Sequence, residues 1–463
     1  MKNMKKFLAL AMAACMTVGM AACGGNNTAD TTGNTTGNTT DTNTDANTDT
    51  ADEAGDAQEQ GSGGATEITL WTFPVGDWGG AYVDEVIAAF NESYPDVSVK
   101  VEYLDYTSGD DQLTAAIEAG TAPDILLAEP QRLVKFGKNG RMVALDDMFT
   151  DELKTDVGNE SIIAACSDGT NYWMYPLSIT AHFMAINYEA WESSGALEYV
   201  NQEGDRTWTT EDFQNALAKL KEAGLTSGVV YCGGQGGDQG TRALVTNLYS
   251  ADFTNAEHTE WTINSENGIQ GLTLLKDLCD QGLLSYDAGI QASDELQLFS
   301  NGTVQMSFCW NAANAKNYAS SVTFTPYALP FPSDDGVPVL ESGLYGFGIF
   351  DNGDAAKQQA ARDFITFVCD DAEWGPKSVE ATGFFPVRGS FEVYADSDDP
   401  NMEFYNAMLA YVGDNFTAMD GFTEQRAEWW TMLQYVFTGE KSVQDAADTY
   451  VTNSNAYTAS YSE

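Results

Sequence analysis

The stretch from Glu67 to Tyr94 constrains the fold more than any other part of the chain. Apolar residues run from Ile68 to Trp71 without proline or glycine, which predicts a strand. A glycine-rich loop, Phe73–Gly80, follows, and apolar side chains then recur from Val83 to Phe90 at the spacing of one helix face. Strand, loop and helix in this order indicate an open α/β sheet, in which ligands bind where a strand gives way to a helix.

The loop after this first strand carries two large aromatic side chains and a carboxylate. Phe73, Asp77 and Trp78 are therefore candidate contacts for a small molecule. The alternative is that Phe73 and Trp78 only plug the edge of the sheet.

The same pattern continues along the chain. Alternating apolar residues predict a second strand over Val97–Tyr103, a helix over Asp110–Gly120, a third strand over Ala122–Leu127 and another helix over Arg132–Gly140. Strands that alternate with helices imply a parallel sheet with right-handed crossovers.

The N-terminus reads as an export signal. Lys2, Lys5 and Lys6 precede the apolar run Phe7–Met20. This run is too short to span a membrane, because a spanning helix needs roughly 20 residues. Small residues and then Cys23 follow, an arrangement that resembles the bacterial lipoprotein signal. We therefore expect residues 1–22 to be a signal peptide and Cys23 to carry lipid. Two acyl chains at one residue suffice for stable anchoring at the outer face of a bacterial cell membrane.

Residues 23–66 are mostly Thr, Asn, Asp, Gly and Ala, without Lys or Arg. Such a segment cannot bury a core, and its acidic residues repel one another. We expect a disordered, extended tether that holds the folded part away from the membrane.

Charge and cysteine usage exclude several classes of function. The formal net charge of −48 argues against nucleic acid, an anionic membrane face and polyanionic ligands. Five cysteines follow Cys23, an odd number without a CxxC pair, so we expect free buried thiols rather than disulfides. The chain has only two histidines, His182 and His258, and they form no metal-binding motif. No metal and no cofactor are expected.

Several motifs in sequence order resemble those of the family 1 extracellular solute-binding proteins, the lipid-anchored receptors of ATP-driven sugar importers. The usual proline of one motif is replaced by Arg206. The motifs are Phe90–Pro95, Gly120–Ile125, Tyr172–Leu177, Ile186–Tyr188, Arg206–Phe213, Phe299–Met306, Tyr345–Ile349, Ala361–Val368, Gly383–Arg388 and Gly439–Ala447.

The resemblance implies a two-lobe periplasmic-binding-protein type II fold, α/β in class, with a hinge and an interlobe ligand cleft. Residues 67–177 plus 341–390 would form lobe I, and residues 178–340 plus 391–463 would form lobe II. It also implies a monomer that captures a carbohydrate ligand and delivers it to the permease subunits of an ABC transporter. No catalysis is expected.

The family pattern, together with the chemistry of sugar binding, selects the candidate ligand residues. Aromatic rings hold the apolar face of a sugar, and polar or charged side chains bind its hydroxyl groups. Trp208 and Asp124 are assigned to structure instead, and Trp429 is preferred over Trp430. Arg388 is compatible with a contact to a carboxylate or sugar hydroxyl of the ligand and equally with an interlobe ion pair. The candidates are Phe73, Asp77, Trp78, Glu129, Gln131, Tyr175, Gln235, Asp238, Trp310, Asn311, Tyr345 and Trp429.

Two alternatives remain at this point. The same fold could bind a peptide, an amine, a metal chelate or another small solute. An exported glycoside hydrolase would instead need two carboxylates roughly 5–9 Å apart across one bond, for which Glu129 and Asp238 are conceivable.

Overall fold

A computed structural model describes residues 65–461, apart from 107, 235–236, 395–396, 398, 400 and 414–418. The predicted signal peptide, Cys23 and nearly all of the predicted tether lie outside the described residues. So does the candidate ligand residue Gln235.

Three sheets organise the described chain. The strands are β1 (Thr66–Thr72), β2 (Val97–Tyr103), β3 (Ile125–Ala128), β4 (Tyr175–Ala181), β5 (Phe183–Asn187), β6 (Val229–Gly233), β7 (Ser285–Gln291), β8 (Met306–Trp310), β9 (Pro326–Leu329), β10 (Ser342–Ile349) and β11 (Phe385–Pro386). The longer helices are α1 (Ala81–Ser93), α2 (Gly109–Ala119), α3 (Pro130–Lys138), α4 (Asp151–Val157), α5 (Glu160–Ala165), α6 (Tyr188–Ser194), α7 (Thr210–Glu222), α8 (Asp238–Asn247), α9 (Glu266–Asp280), α10 (Ala292–Ser300), α11 (Ala312–Tyr318), α12 (Ala355–Asp370), α13 (Trp374–Thr382), α14 (Met402–Met408), α15 (Phe422–Thr438) and α16 (Val443–Ser460).

The largest sheet has six strands in the order β11-β4-β10-β3-β1-β2. Strand β1 pairs in parallel with β2 and β3, as the alternation of strands and helices predicted. The bounds predicted for β2, Val97–Tyr103, are confirmed. Strand β10 is antiparallel to both β3 and β4, so the prediction of a parallel sheet was wrong for this strand. The prediction used only the first part of the chain, whereas β10 is inserted into the sheet from far along it.

The other two sheets contain β8-β5-β9 and β6-β7. Only His182 separates the end of β4 in the six-stranded sheet from the start of β5 in the three-stranded sheet. The chain therefore crosses from one sheet to another at a single buried residue. This α/β arrangement is the expected two-lobe fold. The described residues all belong to one compact contact unit, so the residue boundaries of the lobes stay predictions.

The motifs Arg206–Phe213 and Gly439–Ala447 each contain the start of a helix. Thr209 caps α7 in a capping box with Asp212, and Ser442 caps α16. Trp208 is buried, and its indole N–H donates to the carbonyl of Pro330 over 2.8 Å, so its structural assignment is confirmed. Arg206 has a role that proline could not fill, because its guanidinium lies 3.9 Å from the centroid of the Tyr327 ring and donates to the carbonyl of Ala328.

Two further predictions for the core are confirmed. The five described cysteines are all free, and four of them are buried. Asp124 is structural, since its carboxylate accepts from the backbone N–H of Thr69 over 2.8 Å and pairs with Lys357 at 3.1 Å. In the part of the chain that the structure covers, no helix combines the length and the apolar character needed to cross a membrane.

One buried carboxyl makes the stability of the fold depend on pH. Glu295 on α10 is fully buried and accepts hydrogen bonds from the backbone N–H of Phe308 and the hydroxyl of Ser307. Burial raises its pKa from the ordinary 4.5 to about 8, and the two hydrogen bonds only partly offset this.

We expect Glu295→Gln to lose less stability than the natural chain as the pH rises from 5 to 8. Over this range the folded natural chain keeps the Glu295 proton and the unfolded chain releases it. The free energy of unfolding therefore falls by up to about 1.4 kcal/mol per pH unit, and glutamine removes this dependence. Urea unfolding at pH 5 and pH 8 measures the free energy of unfolding of both chains. If the variant and the natural chain differed in this free energy by the same amount at both pH values, the expectation would be contradicted.

Candidate ligand-binding site

A small polar chamber of about 150 Å³ lies where the six-stranded sheet faces the rest of the molecule. We call it the inner chamber. The six-stranded sheet and its loops supply one wall, and the β4–β5 crossing, α8 and α15 supply the other. Its lining residues are Tyr106, Glu129, Gln131, Ser342, Gly343 and Tyr345 on the first wall and His182, Gly237, Gln239, Arg242, Phe422 and Arg426 on the second.

An arginine fixes the acidic side chains of the first wall. Arg132, on the first turn of α3, donates two hydrogen bonds to Asp110, at 2.7 and 3.0 Å, and a third to Glu129. Its guanidinium lies 4.3 Å from the centroid of the Phe73 ring, which stacks in turn on Tyr106. Because its neighbours hold the Glu129 carboxylate in place, Glu129 presents hydrogen-bond acceptors with little freedom to move.

A buried ion-pair network stands behind the second wall. Arg242 donates to Glu341 at 2.7 and 3.1 Å and pairs with Asp238, and Arg426 donates to the other Asp238 oxygen at 2.8 Å. Burial alone would raise the pKa of Asp238, but Arg242 and Arg426 together outweigh it and the net shift is downward. Asp238 is thus held ionised, and its charge is compensated inside the protein.

Two buried polar atoms of this wall have no hydrogen-bond partner among the described residues. They are Nδ1 of His182 and Oε1 of Gln239, both in residues that line the inner chamber. Burial, which Asp238 opposes and Arg242 and Arg426 reinforce, lowers the pKa of His182 to about 4. The imidazole is therefore neutral at neutral pH. Leaving a buried polar atom without a partner costs about 1–3 kcal/mol, so both atoms favour a ligand that hydrogen-bonds to them.

Two tyrosine side chains complete the lining. The pairing of β10 with β4 shifts register between Tyr345 and Gly346, an irregularity of the kind that redirects a side chain. A side chain at Gly346 would collide with the carbonyl of Tyr175, 2.3 Å from the position of its Cβ, so only glycine permits this close pairing. Burial raises the pKa of both Tyr345 and Tyr106, which keep their hydroxyl protons.

Five of the candidate ligand residues lie at or next to the inner chamber. Glu129, Gln131 and Tyr345 line it. Asp238 lies behind the second wall, paired with two arginines, and Phe73 lies fully buried beneath Arg132. The last two therefore position the lining residues and do not themselves face the chamber in this structure.

Four other candidates are buried in the core. The indole N–H groups of Trp78, Trp310 and Trp429 donate at 2.9 Å to Ser378, Tyr405 and Thr241 respectively. Each of these three rings has no exposed surface. Tyr175 donates to Asp370 and accepts from Arg388. Trp430 is also buried. The structure offers no open face of these rings to a ligand, and a stacking role for them stays a prediction.

Asp77 and Asn311 lie away from the inner chamber. Asp77 is exposed and its carboxylate lies 3.3 Å from the ammonium of Lys316. Asn311 caps α11, its side-chain oxygen accepting from the backbone N–H of Asn314 over 2.9 Å. Arg388 forms ion pairs with Asp370 and Asp156, and all three residues lie within predicted lobe I, so these are not the interlobe ion pair foreseen for Arg388.

Sequence reasoning missed seven side chains that line the chamber, namely Tyr106, His182, Gln239, Arg242, Ser342, Phe422 and Arg426. One of them carried a readable signal. His182 is one of only two histidines and stands between the apolar strands Tyr175–Ala181 and Phe183–Asn187. A polar residue within a buried apolar run is informative, whereas an exposed apolar one is not. The other six come together only through tertiary structure.

A larger cavity of about 790 Å³ lies elsewhere, between α11, α13 and the described residues among positions 392–402. None of the candidate ligand residues lines it. Volume alone does not identify a site, and the unpartnered polar atoms point to the inner chamber instead. Within the described residues, no cluster of His, Cys, Asp and Glu is arranged to hold a metal ion.

The burial of Trp310 leads to a test of its role. We expect Trp310→Ala to lower the free energy of unfolding by about 3–5 kcal/mol, because a fully buried indole is removed and Tyr405 loses its donor. Urea unfolding without ligand measures this. Unchanged stability combined with lost ligand binding would instead place the ring against the ligand.

Comparison with known proteins identifies the chain. Residues 76–373 match the family model for bacterial extracellular solute-binding proteins. The arabinooligosaccharide-binding protein of Bacillus subtilis (strain 168) is 24% identical over 346 residues, which are 72% of this chain and 77% of that protein.

Two solved structures share the fold. The GacH receptor of Streptomyces glaucescens GLA.O superposes with a TM-score of 0.71 at 17% identity, covering 86% of this chain and 99% of its own. The cyclic alpha-maltosyl-1,6-maltose binding protein from Arthrobacter globiformis superposes with a TM-score of 0.69 at 22% identity, covering 85% of this chain and 99% of its own. The chain belongs to the bacterial extracellular solute-binding proteins, which bind solutes and are not enzymes.

Proposed function

We propose that this protein captures a sugar or oligosaccharide outside the cell and delivers it to the permease of an ABC transporter. The observation that carries the proposal is the inner chamber, where Nδ1 of His182 and Oε1 of Gln239 are buried and have no hydrogen-bond partner among the described residues. A ligand hydroxyl can donate to either atom, or accept from the other tautomer of the imidazole.

The electrostatics of the chamber favour a neutral ligand. The guanidinium of Arg132 is paired with Asp110 and Glu129, and that of Arg426 with Asp238. His182 is neutral because its pKa lies near 4. The charged groups are thus compensated by one another but keep lone pairs and N–H groups for charge-assisted hydrogen bonds. A phosphate would meet no uncompensated positive charge here.

The aromatic side chains of the chamber suit the apolar faces of a sugar. Tyr106, Tyr345 and Phe422 line it together with the polar groups. Flat rings beside hydrogen-bonding groups match a pyranose or furanose, which has apolar C–H faces and a rim of hydroxyls. The names of the relatives agree with this chemistry: one binds arabinooligosaccharides, and the GacH receptor was solved in complex with acarbose.

The pairing of the Glu129 and Asp238 carboxylates with arginines argues against the alternative function, a glycoside hydrolase. A glycoside hydrolase needs a general acid whose pKa is raised. Glu129 is bound to Arg132, and the pKa of Asp238 is shifted downward. Asp238 is therefore not suited to give up a proton to a leaving group at neutral pH.

Export and anchoring are part of the proposal and rest on the sequence. The basic N-terminus, the apolar run Phe7–Met20 and Cys23 support a signal peptide of residues 1–22 and lipid attachment at Cys23. Residues 23–66 would then tether the folded part to the outer face of the cell membrane, where a monomer meets its permease.

The proposed lobe boundaries have support in the membership of the sheets. The six-stranded sheet draws on residues 66–128, 175–181, 342–349 and 385–386, and the other two sheets draw on residues 183–329. We propose residues 67–177 plus 341–390 as lobe I and residues 178–340 plus 391–463 as lobe II. Strand β4 continues through the first of these boundaries as far as Ala181.

A thermal-shift screen of the mature chain against neutral mono- and oligosaccharides tests the proposal. We expect a rise in Tm that grows with the concentration of the active sugar, because a ligand that binds only the folded state stabilises it. Peptides and polyamines in the same screen represent the other solute classes. A response to these alone, and to no sugar, would contradict the proposal.

The variant Gln239→Leu tests the location of the site. We expect it to weaken sugar binding by roughly tenfold, equivalent to about 1.4 kcal/mol, without loss of unliganded stability, since Oε1 has no partner among the described residues. Gln297→Leu, at an exposed position of α10, is the matched control and should bind normally. Equal affinities of the two variants would place the site elsewhere.

A further inference from the structure

The cavity of about 790 Å³ beside α11 and α13 takes no part in the proposed sugar site, and we call it the side cavity. Its volume is several times that of the inner chamber, and much of its lining is apolar. The apolar side chains include Ala315, Ala319, Val322 and Phe324 from α11 and the chain after it, Pro376 from α13 and Met402 from α14. Protein interfaces place their strongest contacts in pockets of this kind, into which one partner inserts an anchoring side chain.

The buried polar side chains around the side cavity already have partners within the protein. Tyr394 donates to the carbonyl of Phe384 over 2.7 Å, and the side-chain amide of Asn401 donates to the carbonyl of Pro326 over 3.0 Å. None of the described lining residues has a buried side-chain polar atom without a hydrogen-bond partner, in contrast to the inner chamber. A sugar brings hydroxyl groups that need such partners, whereas an apolar side chain does not. The side cavity therefore suits an apolar anchor rather than a second sugar.

The charged side chains of the lining leave an excess of negative charge. Both lysines are already in ion pairs, Lys316 with Asp77 at 3.3 Å and Lys377 with Glu373 at 2.8 Å. Three carboxylates of the lining form no ion pair within the described part of the chain. They are those of Glu380, Glu392 and Asp399. Complementary charge steers a partner and selects it, so this lining favours an apolar anchor that is flanked by Lys or Arg.

Both predicted lobes supply walls of the side cavity. Helix α13 and Gly383 belong to predicted lobe I, and α11 and the described residues among positions 392–402 belong to predicted lobe II. The two sides approach closely at Gly383, where an added Cβ would lie 2.9 Å from Cβ of Ala313. Because the walls come from different predicted lobes, the shape of the cavity depends on how the lobes are placed. A partner that fills it therefore binds one arrangement of the lobes more tightly than another.

We propose that the side cavity is the docking site for an outward-facing loop of the permease. The loop inserts an apolar side chain between α11 and α13, and a neighbouring Lys or Arg pairs with the carboxylates of the lining. This inference rests on the proposed function and names the surface through which the chain meets its permease.

A variant that fills the side cavity tests the inference. Ala319 is exposed, caps the C-terminal end of α11 and lines the cavity. We expect Ala319→Trp to weaken binding to the transporter at least tenfold while its affinity for sugar stays unchanged. Ala223→Trp is the matched control, because Ala223 is also exposed, caps the C-terminal end of α7 in the same backbone conformation and does not line the cavity.

The assay uses the mature chain, a sugar that is active in the thermal-shift screen, and the permease and ATPase subunits of the same bacterium reconstituted in lipid nanodiscs. Affinity for the nanodiscs and sugar-dependent ATP hydrolysis are measured for each variant, and calorimetry gives its affinity for the sugar. Unweakened binding of Ala319→Trp to the transporter would overturn the inference and leave the proposed function intact. Loss of sugar affinity in this variant would also overturn it, by assigning the cavity to the sugar. A natural chain that binds sugar but never stimulates the transporter would contradict the proposed function itself.

A charge reversal tests the chemistry assigned to the loop. We expect Glu380→Lys to weaken binding to the transporter at least threefold at about 0.05 M salt and to have little effect at about 0.5 M, because salt screens exposed charges. Glu440→Lys makes the same change in net charge at an exposed position outside the cavity, and it should bind normally. Equal weakening by the two variants, or no weakening by either, would overturn the assignment of a basic loop to this surface.

Discussion

The buried ion-pair network of Arg242 with Asp238, Glu341 and Arg426 is the constraint on which the rest of the site depends. Glu341 directly precedes β10 of the six-stranded sheet, whereas Arg242 lies on α8 and Arg426 on α15. The carbonyl of Glu341 also accepts from the backbone N–H of His182 over 2.8 Å. One cluster of charges thus joins the six-stranded sheet, the β4–β5 crossing and two helices. Removing one partner of such a pair leaves a buried charge uncompensated, at a cost of about 3–5 kcal/mol.

This network explains how a strongly acidic chain can build a neutral site. The formal charge of the whole chain is −48, yet each arginine at the inner chamber is matched by carboxylates within hydrogen-bond reach. The excess negative charge therefore lies elsewhere on the protein. Within the chamber, the fixed charges and the neutral imidazole of His182 provide oriented donors and acceptors without a net attraction for anions.

The sequence predicted the fold well because its signals are local. The alternation in β2 and the structural role of Trp208 each depend on a few neighbouring residues. The antiparallel direction of β10 could not be read in this way, since it depends on where a distant segment enters the sheet.

The candidate site was predicted only in part, for a physical reason. Glu129, Gln131 and Tyr345 lie at strand ends or on a returning strand, positions that topology brings to the cleft. The tryptophans were chosen for chemistry suited to sugars, but the same large apolar rings also fill cores, and sequence does not distinguish the two uses. Trp78, Trp310 and Trp429 are fully buried here. Polar residues brought together from α8, α15 and the β4–β5 crossing form the second wall instead.

A crystal structure of the mature protein grown with an active sugar is the most direct test of where this protein binds its solute. The account predicts a sugar ring between the two walls, with one oxygen about 3 Å from Nδ1 of His182 and another at the same distance from Oε1 of Gln239. A sugar held in the 790 Å³ cavity beside α11 and α13, with His182 and Gln239 untouched, would contradict it.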